Sequence, residues 1–169
     1  MTKTLLVLRH AKSSWKFVKL ADHDRPLNGR GKRDAPRIGR LLAERELVPD
    51  LILSSSARRA HDTVELVAEH SGYVRDPVWG SSLYLGGHQA YLDSILTTAD
   101  EVDRLMVVGH NPDVEMLVEA LTGEFETMPT GALAQIELPI DHWNQLQADG
   151  GNRLVTIWRP RNLAAEDAL

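Results

Sequence analysis

Cysteine is absent from the 169 residues, which closes off disulfides and thiolate chemistry. Aromatic residues are scarce at 5%, and with an isoelectric point near 5.8 they make nucleic acid a poor partner. Long apolar runs are also missing. Leu5 to Leu8 is interrupted at once by Arg9-His10, far short of a signal sequence or a membrane span. The expected setting is therefore cytoplasmic, with no membrane partner. No repeat, low-complexity tract or Pro/Gly/Ser linker divides the chain. This predicts one domain over residues 1–160 and a C-terminal tail over 161–169. A hydrophobic content of 43% excludes general disorder. A chain of this size buries roughly 70% of its unfolded surface, enough for a core without staples.

Negative charge is in excess overall, with a net of −5, but it is unevenly placed. Residues 1–40 hold 11 Lys and Arg against three Asp, a net of +8, so the remaining residues carry −13. A basic first quarter on an acidic body points to an anionic ligand near the N-terminus, or to long basic side chains coating an exposed helix.

Short apolar runs alternate with longer amphipathic stretches. Thr4–Leu8, Leu51–Leu53 and Leu105–Val108 read as strands buried on both faces; Leu133–Leu138 and Leu154–Trp158 alternate and carry β-formers. Helical spacing occupies Asn28–Glu46, Ala57–His70, His88–Thr98 and Pro112–Leu121. Asn28 is a candidate cap, Pro36 predicts a kink or restart, and Asn111-Pro112 reads as an N-cap followed by a first-turn proline. Strands separated by helices imply a three-layer α/β/α sandwich around a mostly parallel sheet.

Three polar clusters directly follow apolar strands: Arg9-His10, Ser54-Ser55-Ser56-Ala57-Arg58-Arg59 and Gly109-His110-Asn111-Pro112. In an open parallel sheet the carboxyl ends of strands form the ligand crevice, so histidines and arginines from distant positions should converge there. Arginine forks suit phosphate oxygens, and they disfavour protonation of a neighbouring imidazole. A neutral imidazole is a nucleophile, and a second histidine can hold developing charge. Phosphoryl transfer through a phosphohistidine is the chemistry this set supports. No His-x-x-x-His pair suggests a metal site, and none is required, because the arginines and histidines supply positive charge.

Leu8-Arg9-His10-Ala11-Lys12-Ser13-Ser14-Trp15 resembles the Arg-His-Gly signature of the histidine phosphatase superfamily. Ser55-x-x-x-Arg59-Ala60-x-x-Thr63 looks like its second motif and Val108-Gly109-His110 like its third. The motifs stand in the family's order, and the likeness runs from about residue 3 to 160. The Arg-His-Ala-Lys-Ser variant and Asp22-x-x-Arg25-Pro26-Leu27-Asn28 resemble the bacterial SixA-like phosphohistidine phosphatases. The resemblance implies a phosphoglycerate mutase-like fold and a phosphatase without cofactor or metal. It implies His10 as nucleophile, with Arg9, Arg59 and His110 as its phosphate pocket. The implied substrate is phosphohistidine on a signalling protein. A small phosphorylated molecule, handled by a phosphomonoesterase or mutase, is the alternative, as is a catalytically silent phosphate-binding module.

One helix position turns a side chain about 100°, so Arg58 is expected at the rim or in a salt bridge while Arg59 faces the phosphate. Lys12, Lys16 and Asn111 are the candidate substrate-binding residues, the two lysines either widening the basic mouth or only solvating the surface. Many relatives carry a Glu in the middle segment to protonate the leaving oxygen. Gly80-Ser81-Ser82-Leu83-Tyr84-Leu85-Gly86-Gly87-His88 has no carboxylate. Phosphohistidine needs such an acid less than an alkyl phosphate does, and Asp22, His23, Asp24 or His88 could supply a proton from a loop. His23, His61, His70 and His142 read as surface or structural residues. Trp15, Trp79, Trp143 and Trp158 read as packing residues, with Trp15 worth watching because it lies close to His10 in sequence.

Overall fold

A computed structural model describes residues 1–167, with side-chain detail as far as Leu163. The central sheet follows from strands that are apolar on both faces. In β1 (Lys3–Arg9), Leu5 and Val7 point to one side and Leu6 and Leu8 to the other, and all four are fully buried. β4 (Arg104–Gly109) repeats the pattern with Leu105 and Val107 opposite Met106 and Val108. With β2 (Leu51–Ser55), β3 (Val78–Gly80), β5 (Leu133–Leu138) and β6 (Arg153–Trp158), they form one six-stranded sheet of order β3-β2-β4-β1-β5-β6. β1 pairs with β4, β4 with β2 and β2 with β3 in parallel. β5 is antiparallel to both β1 and β6, so five of the six strands point the same way.

Helices cover both faces. α1 (Gly29–Glu44), α2 (Arg58–Ser71) and α6 (Pro160–Asp167) lie on the face of Leu6 and Leu8. α3 (Ser82–Leu85), α4 (His88–Leu96) and α5 (Asp113–Thr122) lie on the face of Leu5 and Val7, where Trp143 is fully buried. The expected three-layer architecture is present. Asn28 caps α1 by accepting from the Gly31 N–H at 2.9 Å.

Several local expectations are corrected. α1 runs through Pro36 without a restart. Asn111 does not cap α5, whose N-cap is Pro112; the Asn111 amide instead reaches Glu115 and the Met128 carbonyl. The segment expected as a tail includes helix α6, whose Leu163 packs into the core; residues 168 and 169 lie outside the described residues. β3 and α3 had no expectation attached. β3 is a three-residue edge strand with Val78 and Trp79 exposed, so it carries no hydrophobic alternation to read.

Two glycines let the chain approach itself where the three strand ends meet. A Cβ at Gly31 would sit 2.2 Å from the Lys12 carbonyl oxygen, and one at Gly109 would sit 1.7 Å from the Tyr91 hydroxyl. That hydroxyl donates to the Leu83 carbonyl at 2.7 Å and receives the His110 N–H at 3.3 Å. Gly109→Ala should therefore cost about 1–3 kcal/mol by overpacking, measured by urea unfolding, and should displace His110. Wild-type stability and an unmoved His110 would contradict this packing account.

Candidate active site

The carboxyl ends of β1, β2 and β4 open on one edge of the sheet. Arg9 pairs with Gly109 in the β1–β4 register, and the His10 N–H bonds the Gly109 carbonyl at 2.9 Å. This tie carries His10 and His110 onto the same edge, with ring centroids 5.0 Å apart. Each of the two residues is only 6% exposed. From the far side, the loop before β5 closes the edge: Gly131 N–H bonds the His10 carbonyl at 2.9 Å, and Arg9 Nη1 donates to the Met128 carbonyl at 3.0 Å.

Each residue of the second motif has a distinct place. The Ser55 hydroxyl lies 2.7 Å from His110 Nε2. Arg59 is buried on the first turn of α2, while Arg58 turns to solvent and pairs with Asp62 at 3.7 Å, as the helical offset predicts. The Thr63 hydroxyl donates to the Arg59 carbonyl at 2.7 Å and accepts the Ala11 N–H at 3.0 Å, fastening α2 to the residue after His10.

The His10 Nδ1 lies 2.7 Å from the Ala11 carbonyl oxygen. A carbonyl can only accept, so Nδ1 carries the proton and Nε2 keeps its lone pair. Burial, above all, lowers the His10 imidazole to about 3, and the nearby His110, Arg59 and Arg9 push the same way. His110 is lowered to about 4, again chiefly by burial, with Arg59 next. Both rings are neutral at physiological pH. Around them, Arg9 Nε, Arg59 Nε and His110 Nδ1 are buried without a hydrogen-bond partner among the described residues. Buried donors are rarely left in that condition, so convergent, unpartnered donors beside a neutral imidazole suit a tetrahedral oxyanion.

Sequence reasoning did not foresee how Arg59 is held. Asp22, in the 3-10 turn Asp22–Asp24, takes Arg59 Nη2 on its carboxylate at 3.0 Å and Nη1 on its backbone carbonyl at 2.8 Å. Arg25 binds the other carboxylate oxygen at 3.1 Å, and the Tyr84 hydroxyl donates a short bond to the first. The Tyr84 bond, followed by Arg59, lowers the Asp22 carboxyl to about 2. Tyr84 also packs edge-on against His110 at 5.5 Å and against His23 at 4.7 Å. His23, expected as an ordinary loop residue, lies 2.9 Å from the Ser56 hydroxyl through Nε2. The Asp22-x-x-Arg25 spacing was the visible signal, but nothing in the sequence ties it to Tyr84.

The outer candidates separate. Lys12 is half-buried and Lys16 exposed, and neither ammonium makes a hydrogen bond or ion pair among the described residues. Asn111 uses its amide hydrogens on Glu115 at 2.6 Å and Met128 at 2.9 Å, so it fastens the loop that holds Arg9 rather than offering donors to a ligand. Trp15 is largely exposed, with the Arg25 guanidinium 3.5 Å over its ring, and Trp79 stacks on His61; neither belongs to the core. One group with metal-ligand geometry occurs among the described residues, His61, Asp62 and Glu65; these lie on the outward side of α2 and are not part of the pocket.

Residues 5–78 match the histidine phosphatase superfamily (branch 1). An uncharacterized protein of Mycobacterium tuberculosis is 32% identical over 91% of this chain and all of its own length. A chloroplastic, uncharacterized protein of Arabidopsis thaliana is 29% identical over 99% of this chain and 80% of its own. Among solved structures, a candidate phosphohistidine phosphatase SixA from Agrobacterium tumefaciens superposes with a TM-score of 0.80 at 32% identity, covering 94% of this chain and 98% of that one. The protein histidine phosphatase SixA complexed with tungstate shares the fold, with a TM-score of 0.80 at 22% identity over 95% and 99% of the two chains. With its motifs in order, the expected fold and identity along nearly its whole length, the chain belongs to the histidine phosphatase superfamily, in the SixA-like branch.

Proposed function

We propose that the protein removes phosphoryl groups from phosphohistidine on proteins, through a phosphohistidine formed on its own His10. The observation that carries this reading is the 2.7 Å contact from His10 Nδ1 to the Ala11 carbonyl, which leaves a neutral ring with Nε2 free to attack. In the first step the Nε2 lone pair forms a bond to phosphorus as the substrate's P–N bond breaks, and the departing imidazole, protonated on its other nitrogen, leaves neutral. In the second step water attacks phosphorus, the bond to His10 breaks, and orthophosphate leaves. Arg9 and Arg59 hold the phosphoryl oxygens, and His110 Nδ1–H donates to them while the Ser55 hydroxyl donates to its Nε2. The two guanidinium groups supply the charge that a metal would otherwise bring. Tungstate, which the solved SixA complex contains, is a tetrahedral oxyanion of the kind this pocket suits.

The same geometry supports a preference for phosphohistidine over alkyl phosphates. The 80–88 segment presents Tyr84 and no carboxylate, and Asp22 is ionised and occupied by Arg59, Arg25 and Tyr84. The 80–88 segment thus offers no carboxyl group, and the ionised Asp22 no proton, to an alkoxide leaving group, and general acid catalysis of that kind is worth about 10²–10⁴-fold. Asp22 also stands against Arg59 where an incoming phosphoryl group would bind, so the substrate competes with a carboxylate for that guanidinium.

Labelled phosphohistidine substrate should leave an acid-labile, base-stable adduct that His10→Ala abolishes; an adduct persisting on the variant would remove His10 as nucleophile and favour another group. Phosphohistidine should be hydrolysed about 100-fold or more faster than an alkyl phosphate, measured as kcat/KM. Equal efficiency would favour a general phosphomonoesterase. Asp22→Asn, by removing one negative charge beside Arg59, should tighten inhibition by orthophosphate about two- to tenfold. Weaker inhibition would mean that Asp22 serves chiefly to aim Arg59.

A further inference from the structure

Three basic residues of α1, Arg30, Arg33 and Arg37, line a groove that runs away from the catalytic pocket. One cavity of about 380 Å³ is lined by Arg9, Arg30, Arg159 and Arg161, with Met128 and Pro129 in its wall. A second, of about 370 Å³, shares Arg30, Pro129 and Arg161 with the first and continues past Arg33 and Arg37. The topology explains why they meet. The Asn28 N–H to Lys12 carbonyl bond, at 3.0 Å, holds the start of α1 beside the carboxyl end of β1, and β6, parallel to β1, delivers Arg159 and the start of α6 to the same edge. Arg9 thus belongs at once to the phosphate pocket and to the near end of the groove.

Arginines outnumber carboxylates along the described lining of this groove. Among the described residues its linings hold six arginines and two carboxylates, Asp34 and Glu115, and Arg159 also pairs with Glu126 at 3.4 Å. Asp34 is buried between Arg30, at 3.5 Å, and Arg37, at 3.1 Å, and Glu115 is engaged by Asn111 at 2.6 Å. Arg33 and Arg161 are exposed and make no hydrogen bond or ion pair among the described residues. Arg30 to Arg37 spans two helical turns, about 10 Å along the axis, so the row is longer than one phosphate needs and matches an extended strand of carboxylates. The segment leading to Asp22 also exposes Trp15, Phe17 and Val18, a surface suited to a polypeptide rather than a small metabolite.

We propose that this groove docks an acidic stretch of the polypeptide that carries the phosphohistidine, setting substrate choice from outside the catalytic pocket. The proposal rests on the reading of the protein as a protein phosphatase, and its test separates the two. An unphosphorylated, labelled Asp/Glu-rich peptide should bind the wild-type protein at low salt in an anisotropy titration, and Arg33→Ala combined with Arg161→Ala should weaken it about tenfold. In turnover, the same double variant should raise KM for an acidic phosphohistidine peptide about tenfold while leaving kcat, and a neutral phosphohistidine peptide, unchanged. Binding of the acidic peptide without any phosphohistidine hydrolysis would support the groove and overturn the phosphatase reading alone. Equal peptide binding by wild type and variant would overturn the groove. So would a variant that leaves the peptide untouched and loses affinity only for a small bisphosphate, which would make the groove a second phosphate subsite.

Discussion

The parallel pairing of β1 with β4 is the constraint on which the rest of the site depends. Its register opposes Arg9 to Gly109, and the His10 N–H to Gly109 carbonyl bond extends the pairing one residue beyond the strand. Two imidazoles far apart in sequence thereby become neighbours, buried under the loops that leave the sheet. Their burial is the main reason both are held neutral, so the strand pairing sets the chemistry as well as the geometry. Gly109 is part of the same constraint: a side chain there would collide with the Tyr91 hydroxyl that receives the His110 N–H.

Around that pair the protein has placed cations at a cost. Arg9 and Arg59 lie near each other with buried Nε atoms that find no partner among the described residues, and Arg9 is lowered by burial despite the counter-pull of Glu115. Asp22 relieves part of this by taking both terminal nitrogens of Arg59, one on its side chain and one on its backbone. An arriving phosphoryl group offers more oxygens and more negative charge than a single carboxylate can. Under the proposed function, the resting site is poised between a weaker internal anion and a stronger external one.

Much of this was legible in the sequence because it is local. Strands apolar on both faces mark a buried sheet, and the polar clusters that follow three of them mark the edge on which His10, Arg59 and His110 converge. The helical offset of one position separates buried Arg59 from exposed Arg58. Residues whose roles come from distant partners were not legible. Tyr84 meets Asp22 across 62 positions and Asp22 meets Arg59 across 37, and no periodicity encodes either meeting. Asn111 shows the opposite failure: its sequence fits an N-cap, but tertiary contacts to Glu115 and Met128 claim its side chain. The uneven charge was readable as a number, and the groove it lines became visible only when β6 and α6 brought Arg159 and Arg161 beside α1.

The central claim is that the Ala11 carbonyl selects which nitrogen of His10 reacts. Trapping the phosphoenzyme and determining the linkage by phosphorus–nitrogen NMR couplings tests this directly. The account predicts phosphorus on Nε2 of His10, with Nδ1 still protonated and bonded to Ala11. Phosphorus on Nδ1, or on any other residue, would contradict it.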